Sequence, residues 1–210
     1  MKFRSFFVLL SILAVCFIAA PVWADTVPIV NPSFGITNPL IYPCGTGCAS
    51  NAGPIPGWTI TGAAGSWQAS TAYFNSPTTV AWSDGGTISQ TLSTSLATNM
   101  TYTLSVDVGH RLDGFAANYT IALYAGSMLL SSITGSNGVI PAGTFQGESF
   151  SYSSGAAPLS GPLGIVLFSS GKQTDFENVQ LSTVSTVPEP GTLALFATGL
   201  GLMILVLRRR

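Results

Sequence analysis

Strict alternation of polar and apolar side chains limits what this chain can fold into more than any other feature of its sequence. The segment TYTLSVDV at residues 101–108 places an apolar residue at every second position. A strand with one face against a core has this period of two, whereas a helix repeats its apolar residues every three or four positions. The pattern predicts a half-buried strand whose core-facing residues are Tyr102, Leu104, Val106 and Val108.

The same type of pattern recurs along the middle of the chain. Alternation also occurs at residues 86–92 and 119–124. Apolar runs bounded by Gly, Pro, Asn and Ser predict five further strands, at residues 78–82, 128–133, 145–152, 163–168 and 176–181. Short strands at this spacing, with no sustained helical period among them, predict an all-β fold. We expect an antiparallel β-sandwich of the jelly-roll type over residues 25–182.

The first 24 residues have the composition of a secretory signal peptide. Lys2 and Arg4 precede an almost uninterrupted apolar stretch at residues 6–20, and Ala24 supplies a small residue before the expected cleavage site. An uncleaved membrane anchor is the alternative. Under both interpretations, the middle of the chain is exported.

Three features follow one another at the C-terminus. A proline-containing motif comes first and consists of Val187, Pro188, Glu189 and Pro190. An apolar run at residues 192–207 follows, and as a helix it would be about 24 Å long, a little under the ~30 Å core of a bilayer. This run predicts a transmembrane helix. The positive-inside rule then places the terminal basic cluster in the cytoplasm: Arg208, Arg209 and Arg210.

This combination resembles the PEP-CTERM sorting signal, which joins a VPEP motif, one transmembrane helix and a basic cluster. The resemblance covers residues 187–210, and residues 183–187 form a short linker to the sandwich. It implies processing by an exosortase-type protease in a Gram-negative bacterium that makes exopolysaccharide. The chain would be held in the inner membrane for a time and then reach the cell envelope, surface or extracellular matrix. A permanent anchor that is never cut is the alternative.

Charged residues are scarce in this sequence. Only 7% of the residues are charged, against roughly 25% in typical soluble proteins. Residues 25–186 contain seven acids and two bases, which gives a net charge of −5. Phosphate binding needs clustered lysine and arginine, so this composition argues against a nucleic-acid partner.

Two cysteines lie close together in the exported segment. Cys44 and Cys48 flank a Gly-rich stretch, and the oxidising environment outside the cytoplasm favours a disulfide between them. Free thiols are the alternative. A metal site would need further ligands, and His110 is the only histidine in the chain. The cysteine spacing also differs from the C-x-x-C of redox motifs.

A second, weaker resemblance spans most of the exported segment. Five short motifs occur in order: NPSF at 31–34, IPGW at 55–58, ISQTL at 88–92, YTLSVD at 102–107 and DFENVQL at 175–181. This order is similar to that of galactose-binding-like jelly rolls, a group that includes carbohydrate-binding modules. The resemblance implies the same sandwich fold and a surface that can contact polysaccharide.

The same resemblance implies a structural calcium ion between the first and last strands. Calcium prefers oxygen ligands, and Asp175 is the candidate ligand, with Glu177 a weaker one. Gly35 stands where these domains commonly have an acidic partner. The alternative role for Asp175 is to cap the turn into the last strand. We expect no other cofactor.

Aromatic residues are frequent in the first half of the exported segment. Trp67 and Tyr73 are candidate ligand-binding residues, because aromatic faces stack on the apolar faces of sugars. Packing in the core is the alternative for both residues, and it is the expected role of Trp58, which follows a Pro-Gly turn.

No recognisable catalytic set occurs in the sequence. His110 and Asp113 could form a base and its orienting partner, but no nucleophile elbow or zinc motif accompanies them. We therefore interpret residues 110–113 as a solvated turn and expect that the protein is not an enzyme. The prediction is a structural or adhesive surface protein of the biofilm matrix. The alternative is a carbohydrate-binding module that recognises extracellular polysaccharide.

Overall fold

The computed structural model describes residues 24–35, 42–45, 48–51, 54–76, 78–157, 161–186, 198–201, 203–204 and 206–208. For residues 42–45 and 48–51 it describes the backbone alone. The predicted signal peptide, apart from its last residue, lies outside this set, as do the sorting motif at 187–190 and the last two arginines. The structure therefore describes none of these segments.

Residues Ala24–Thr183 form one compact unit built from two sheets. The first, sheet A, contains eight of the described strands: β1 (Asp25–Thr26), β2 (Tyr42–Gly45), β3 (Cys48–Asn51), β5 (Ala64–Ala69), β6 (Thr78–Ser83), β8 (Met100–His110), β11 (Thr144–Ser153) and β13 (Thr174–Ser185). The second, sheet B, contains the other five: β4 (Thr59–Thr61), β7 (Thr87–Ser95), β9 (Asn118–Ala125), β10 (Met128–Ser136) and β12 (Pro162–Ser169).

The order of the strands confirms the predicted antiparallel β-sandwich. Sheet A runs β11-β8-β13-β6-β5-β3-β2, with β1 paired to β13, and sheet B runs β10-β9-β12-β7-β4. Neighbours such as β11 and β8, or β12 and β9, are antiparallel. All eight strands predicted from alternation or apolar runs are present, as β6 to β13.

The core lies between the two sheets. The four residues predicted to face it from β8 are buried, with Leu104 and Val108 fully inaccessible to solvent. They pack against the alternating apolar residues of the facing sheet: Ile121, Leu123, Leu163, Ile165 and Leu167. Burying one such side chain stabilises the fold by about 1.5–3 kcal/mol. Trp58 belongs to this core, as predicted.

Strand β13 changes which side chains face the core partway along its length. Phe176 points into the core, and so do Val179 and Leu181. In a regular strand, residues that face the core are an even number of positions apart, but Phe176 and Val179 are three positions apart. One extra residue must therefore lie between them. Asn178 is that residue, with a φ of 52° in the left-handed region. Before this irregularity, Asp175 faces away from the core.

The strands before β6 were not among the eight predicted ones, and β5 shows why. Residues 64–67 are all buried, since β5 lies inside sheet A with side chains covered on both faces. A strand covered on both faces has no polar–apolar alternation to recognise. Strands β2 and β3 form a hairpin in which Gly45 is the register partner of Cys48. The cysteine side chains lie outside the described atoms, so the disulfide stays a prediction.

Residues near the C-terminus are helical at 198–201, 203–204 and 206–208. In this described portion, no helix has both the length and the apolar character needed to cross a membrane. The predicted transmembrane helix at 192–207 includes residues outside the described set, and it also stays a prediction.

Candidate functional site

A second apolar cluster covers the side of sheet A that faces away from sheet B, which we call the outer face. Trp67, Ala69, Phe74 and Val80 are buried there. Three partly buried aromatic residues pack against them: Tyr73, Trp82 and Phe145. An outer sheet face is ordinarily polar, so a buried aromatic cluster at this position points to a site.

Close packing of the rings depends on a glycine. Phe74 and Phe145 stack with their ring centres 4.6 Å apart, above Gly109 of β8. A Cβ atom at Gly109 would lie 2.6 Å from the ring of Phe145, closer than atoms can approach. Glycine is therefore required where these two rings cross the strand.

Asp175 is a fully buried carboxyl group within this cluster. It lies on β13, opposite Trp82 of β6. Its Oδ1 accepts two hydrogen bonds, from Trp67 Nε1 at 2.9 Å and from Gln173 Nε2 at 2.8 Å. Its Oδ2 is buried and has no hydrogen-bond partner among the described residues. One oxygen is therefore held in place, while the other makes no hydrogen bond to a described residue.

Burial changes the acidity of this group. Loss of water around the charged form raises the pKa of Asp175 from 3.8 to about 7. Hydrogen bonding from Gln173, the positive charge of Arg111 and hydrogen bonding from Trp67 act in the opposite direction, while the charge of Asp113 raises the pKa further. A carboxyl with this pKa can both donate and accept a proton near neutral pH.

Arg111 is close enough to Asp175 to lower its pKa and is largely buried, with 8% of its surface exposed. Its guanidinium carbon lies 4.9 Å, 4.8 Å and 4.5 Å from the ring centres of Trp67, Tyr73 and Phe115. Its Nε donates to Asp113 Oδ1 at 2.8 Å, and Nη2 also contacts the carboxylate. Three rings and one carboxylate thus hold the cation.

The interpretation of residues 110–113 as a solvated turn holds for Leu112 and Asp113, which are exposed and form a turn, but not for Arg111, which is buried. This segment folds back over the outer face, where the backbone N–H of Leu112 donates to the carbonyl of Tyr73 at 2.9 Å. The pairing considered for His110 and Asp113 is also absent. His110 Nδ1 lies 2.7 Å from the carbonyl of Ile140, and Asp113 pairs with Arg111. A buried arginine is tolerable because a carboxylate and aromatic rings replace its water.

Asn137 fixes the backbone around this segment. Its side chain is fully buried, and its Oδ1 accepts from the N–H of Ala117 at 2.7 Å. Its Nδ2 lies 3.2 Å from the carbonyl of Gln173 and slightly farther from those of Gly109 and Phe115. One amide thus joins the three segments that carry the residues above Asp175.

A polar hollow of about 520 Å³ lies farther along the outer face. Thr78 donates to Glu177 Oε2 at 2.7 Å, and Asn178 donates to Asp107 Oδ2 at 3.0 Å. Burial raises the pKa of Glu177. The described residues contain no group of three or more His, Cys, Asp or Glu side chains that could hold a metal. The groups around Asp175 Oδ1 are N–H donors, and calcium binding there stays a prediction.

Of the residues singled out in the sequence, Trp67, Tyr73 and Asp175 come together in one place. Arg111, Gln173 and Phe115 complete the arrangement and were missed. Arg111 offered one signal, because it is one of only two basic residues between positions 25 and 186.

Comparison with known proteins identifies the family. The model of the HpiC1 cyclase family matches residues 25–182, the whole two-sheet unit. The chain belongs to the HpiC1-like cyclase family. A second model, the PEP-CTERM protein-sorting motif, matches residues 186–210 and confirms that resemblance. The protein is thus exported, reaches the cell surface and carries a signal for exosortase processing. No curated protein matches the chain.

Solved cyclases share the fold of this HpiC1-like protein. A cyclase from Fischerella sp. TAU in complex with 4-(1H-indol-3-yl)butan-2-one has a TM-score of 0.64 and 22% identity, over 78% of this chain and 99% of that one. The Stig cyclase Fisc from Fischerella sp. TAU, in complex with (3Z)-3-(1-methyl-2-pyrrolidinylidene)-3H-indole, has a TM-score of 0.64 and 21% identity, over 79% and 100%.

Carbohydrate-binding modules are also among the matches. The CBM22-1 xylan-binding domain from Paenibacillus barcinonensis Xyn10C has a TM-score of 0.48 and 11% identity, over 80% of this chain and 100% of that one.

The expectation that the protein is not an enzyme is wrong, since the family match over residues 25–182 is to a cyclase. The expectation rested on missing hydrolase motifs. A single carboxyl in an aromatic environment leaves no such motif, because the residues around it come from distant parts of the chain.

Proposed function

We propose that this protein is a cyclase whose active site is the aromatic cluster on the outer face of sheet A, with Asp175 as general acid. One observation carries the proposal. Asp175 is fully buried among aromatic side chains, has a pKa of about 7 and has one oxygen with no partner among the described residues. A carboxyl kept neutral near pH 7 can donate a proton in water-poor surroundings.

The chemistry that fits is an acid-initiated ring closure. Asp175 donates a proton from Oδ2 to a basic or unsaturated atom of the substrate, which becomes cationic. A new carbon–carbon bond forms within the substrate at the cationic centre. Loss of a proton from the ring product to Asp175 then restores the acid. Substrate and product are isomers, so the reaction needs no co-substrate, and the surrounding rings stabilise the cation.

The substrate class is aromatic and largely apolar, with one basic group. An indole compound fits this description, since Tyr73, Trp82 and Phe115 are aromatic side chains of this face that are not fully buried. Solved cyclases of the same fold hold indole compounds. The low charge of the exported segment suits such a ligand better than an anionic one.

Asp175 is fully inaccessible to solvent, so part of its covering must move before a substrate can reach it. Trp82 is its direct neighbour across β6 and β13 and is partly exposed. The buried Trp82 Nε1 has no hydrogen-bond partner among the described residues. Rotation of this ring therefore breaks no described hydrogen bond, and we assign Trp82 as the side chain that opens the site.

The test is turnover of indole compounds that carry an unsaturated side chain, using full-length protein in mild detergent. The expected product has the mass of the substrate and a new chromatographic retention time, and it gains deuterium when made in D₂O. Asp175→Asn should lower the rate by about 10²–10⁴-fold, the usual contribution of a general acid. Asp84→Asn, at an exposed position, is the matched control. Equal activity of the Asp175 variant would exclude this role.

A second role, contact with extracellular polysaccharide, is favoured by a different part of the outer face. Exposed hydroxyl groups pair between β8 and β11, Thr101 with Ser153 and Thr103 with Ser151, each at 2.8 Å. Such rows offer neutral hydrogen bonds in the matrix of a Gram-negative exopolysaccharide producer. Retention of the protein on that polysaccharide, and its loss in Thr103→Val, would support this role. Equal retention of both proteins would exclude these hydroxyls.

A further inference from the structure

A continuous chain of side-chain hydrogen bonds leads from Arg111 to Asp175. Arg111 Nη1 donates to Gln173 Oε1 at 2.6 Å, and Gln173 Nε2 donates to Asp175 Oδ1 at 2.8 Å. A glutamine amide has an acceptor on one side and a donor on the other, whereas a guanidinium has donors only. Arg111 therefore forces the amide oxygen toward itself, and the NH₂ group must face Asp175.

This orientation determines which oxygen of Asp175 carries a proton. Oδ1 already accepts from both Trp67 and Gln173. A proton on Oδ1 would compete with these two donors for the same lone pairs. The neutral acid is therefore protonated on Oδ2, the oxygen that has no partner among the described residues.

Arg111 and Gln173, the first two residues of this hydrogen-bonded series, are both held in place. Asp113 and three aromatic rings hold the guanidinium of Arg111. Asn137 Nδ2 holds the backbone carbonyl of Gln173 at 3.2 Å. The direction of the Gln173 amide is therefore a property of the folded outer face.

We propose that Arg111 is a positioning residue which, by orienting the Gln173 amide, keeps the transferable proton of Asp175 on Oδ2. The inference deepens the proposed function and rests on it for the proton's use. Among the described residues, two charged groups act on Asp175: Arg111, which favours the ionised form, and Asp113, which opposes it.

The test is an infrared titration of the protonated carboxyl of Asp175 in full-length protein in detergent, without substrate. The carboxyl C=O band is assigned by its loss in Asp175→Asn. Gln173→Leu keeps most of the side-chain volume and removes the amide donor, so the pKa of Asp175 should rise by about one unit. Arg111→Lys keeps the positive charge but removes the planar guanidinium that orients the Gln173 amide. The pKa of Asp175 should therefore also rise in this variant.

Lys172→Met is the matched control, because it removes the neighbouring cation, which contacts Phe115 and not the hydrogen-bonded chain. The pKa of Asp175 should stay unchanged in this variant. An unchanged pKa in Gln173→Leu, or an equal rise in Lys172→Met, would overturn the proposal. Because no substrate is present, a normal titration response combined with absent turnover would instead count against the proposed cyclase activity.

Discussion

Replacing Asp175 with asparagine should stabilise the folded protein at alkaline pH and lose that effect in acid. Asparagine resembles the neutral carboxyl in shape, and its oxygen can still accept from Trp67 and Gln173. It carries no charge at any pH. The variant therefore removes the cost of ionising a group that is fully buried.

The magnitude follows from the raised pKa. Well below pH 3.8 Asp175 is protonated in both the folded and the unfolded chain, so ionisation costs nothing. Between the unfolded pKa of 3.8 and the folded pKa of about 7, the folded state keeps a proton that the unfolded state has lost, and stability falls as pH rises. Above pH 7 the full cost is present. Roughly three pKa units correspond to about 4 kcal/mol.

The assay is chemical denaturation of full-length wild type and Asp175→Asn in detergent at several pH values between 4 and 8.5, followed by near-ultraviolet circular dichroism. The difference in unfolding free energy between the two proteins should change by about 4 kcal/mol in favour of the variant from the lowest to the highest pH. Other titrating groups are shared and cancel. A difference that does not vary with pH would show that the pKa of Asp175 is not raised.

Three further predictions concern other parts of the chain. The exported protein should carry a disulfide between Cys44 and Cys48, so its intact mass should be two hydrogens lower before reduction than after. Processing should place the mature C-terminus at or near residues 187–190, as mass spectrometry of envelope and medium fractions would show. Asn137→Ala should destabilise the fold by about 2–3 kcal/mol in denaturation, because it removes a buried amide and its hydrogen bonds.

Each of these has a contradicting outcome. Two alkylatable thiols in the native protein would rule out the disulfide. A chain that always retains Arg210 would rule out processing. Asn137→Ala with the stability of its exposed control, Asn118→Ala, would show that the amide does not hold the three segments together.

The strands of the sandwich were predictable wherever one face of a strand is buried and the other is exposed to solvent. Strand β8 shows this, since its alternation directly encodes which residues face the core. Strand β5 was not predictable, because its small residues are covered on both sides and leave no pattern. Polar–apolar alternation arises because one face of a strand is exposed to solvent, so it cannot identify strands that have no exposed face.

The site was predictable only as a set of separate residues. Trp67, Tyr73 and Asp175 each stood out by residue type, yet Trp67 and Asp175 are 108 positions apart, and their hydrogen bond exists only in the folded sheet. The raised pKa of Asp175 arises from tertiary burial, which no local motif encodes. The burial of Arg111 also depends on rings from other segments.

The aromatic cluster around Asp175 is the active site that we propose. A crystal structure of the protein soaked with 4-(1H-indol-3-yl)butan-2-one tests it most directly. We expect the indole ring in contact with Trp67 and Phe115 at about 4 Å, and the ketone oxygen about 2.7 Å from Asp175 Oδ2. Indole density on another surface, with the outer face of sheet A unchanged, would contradict it.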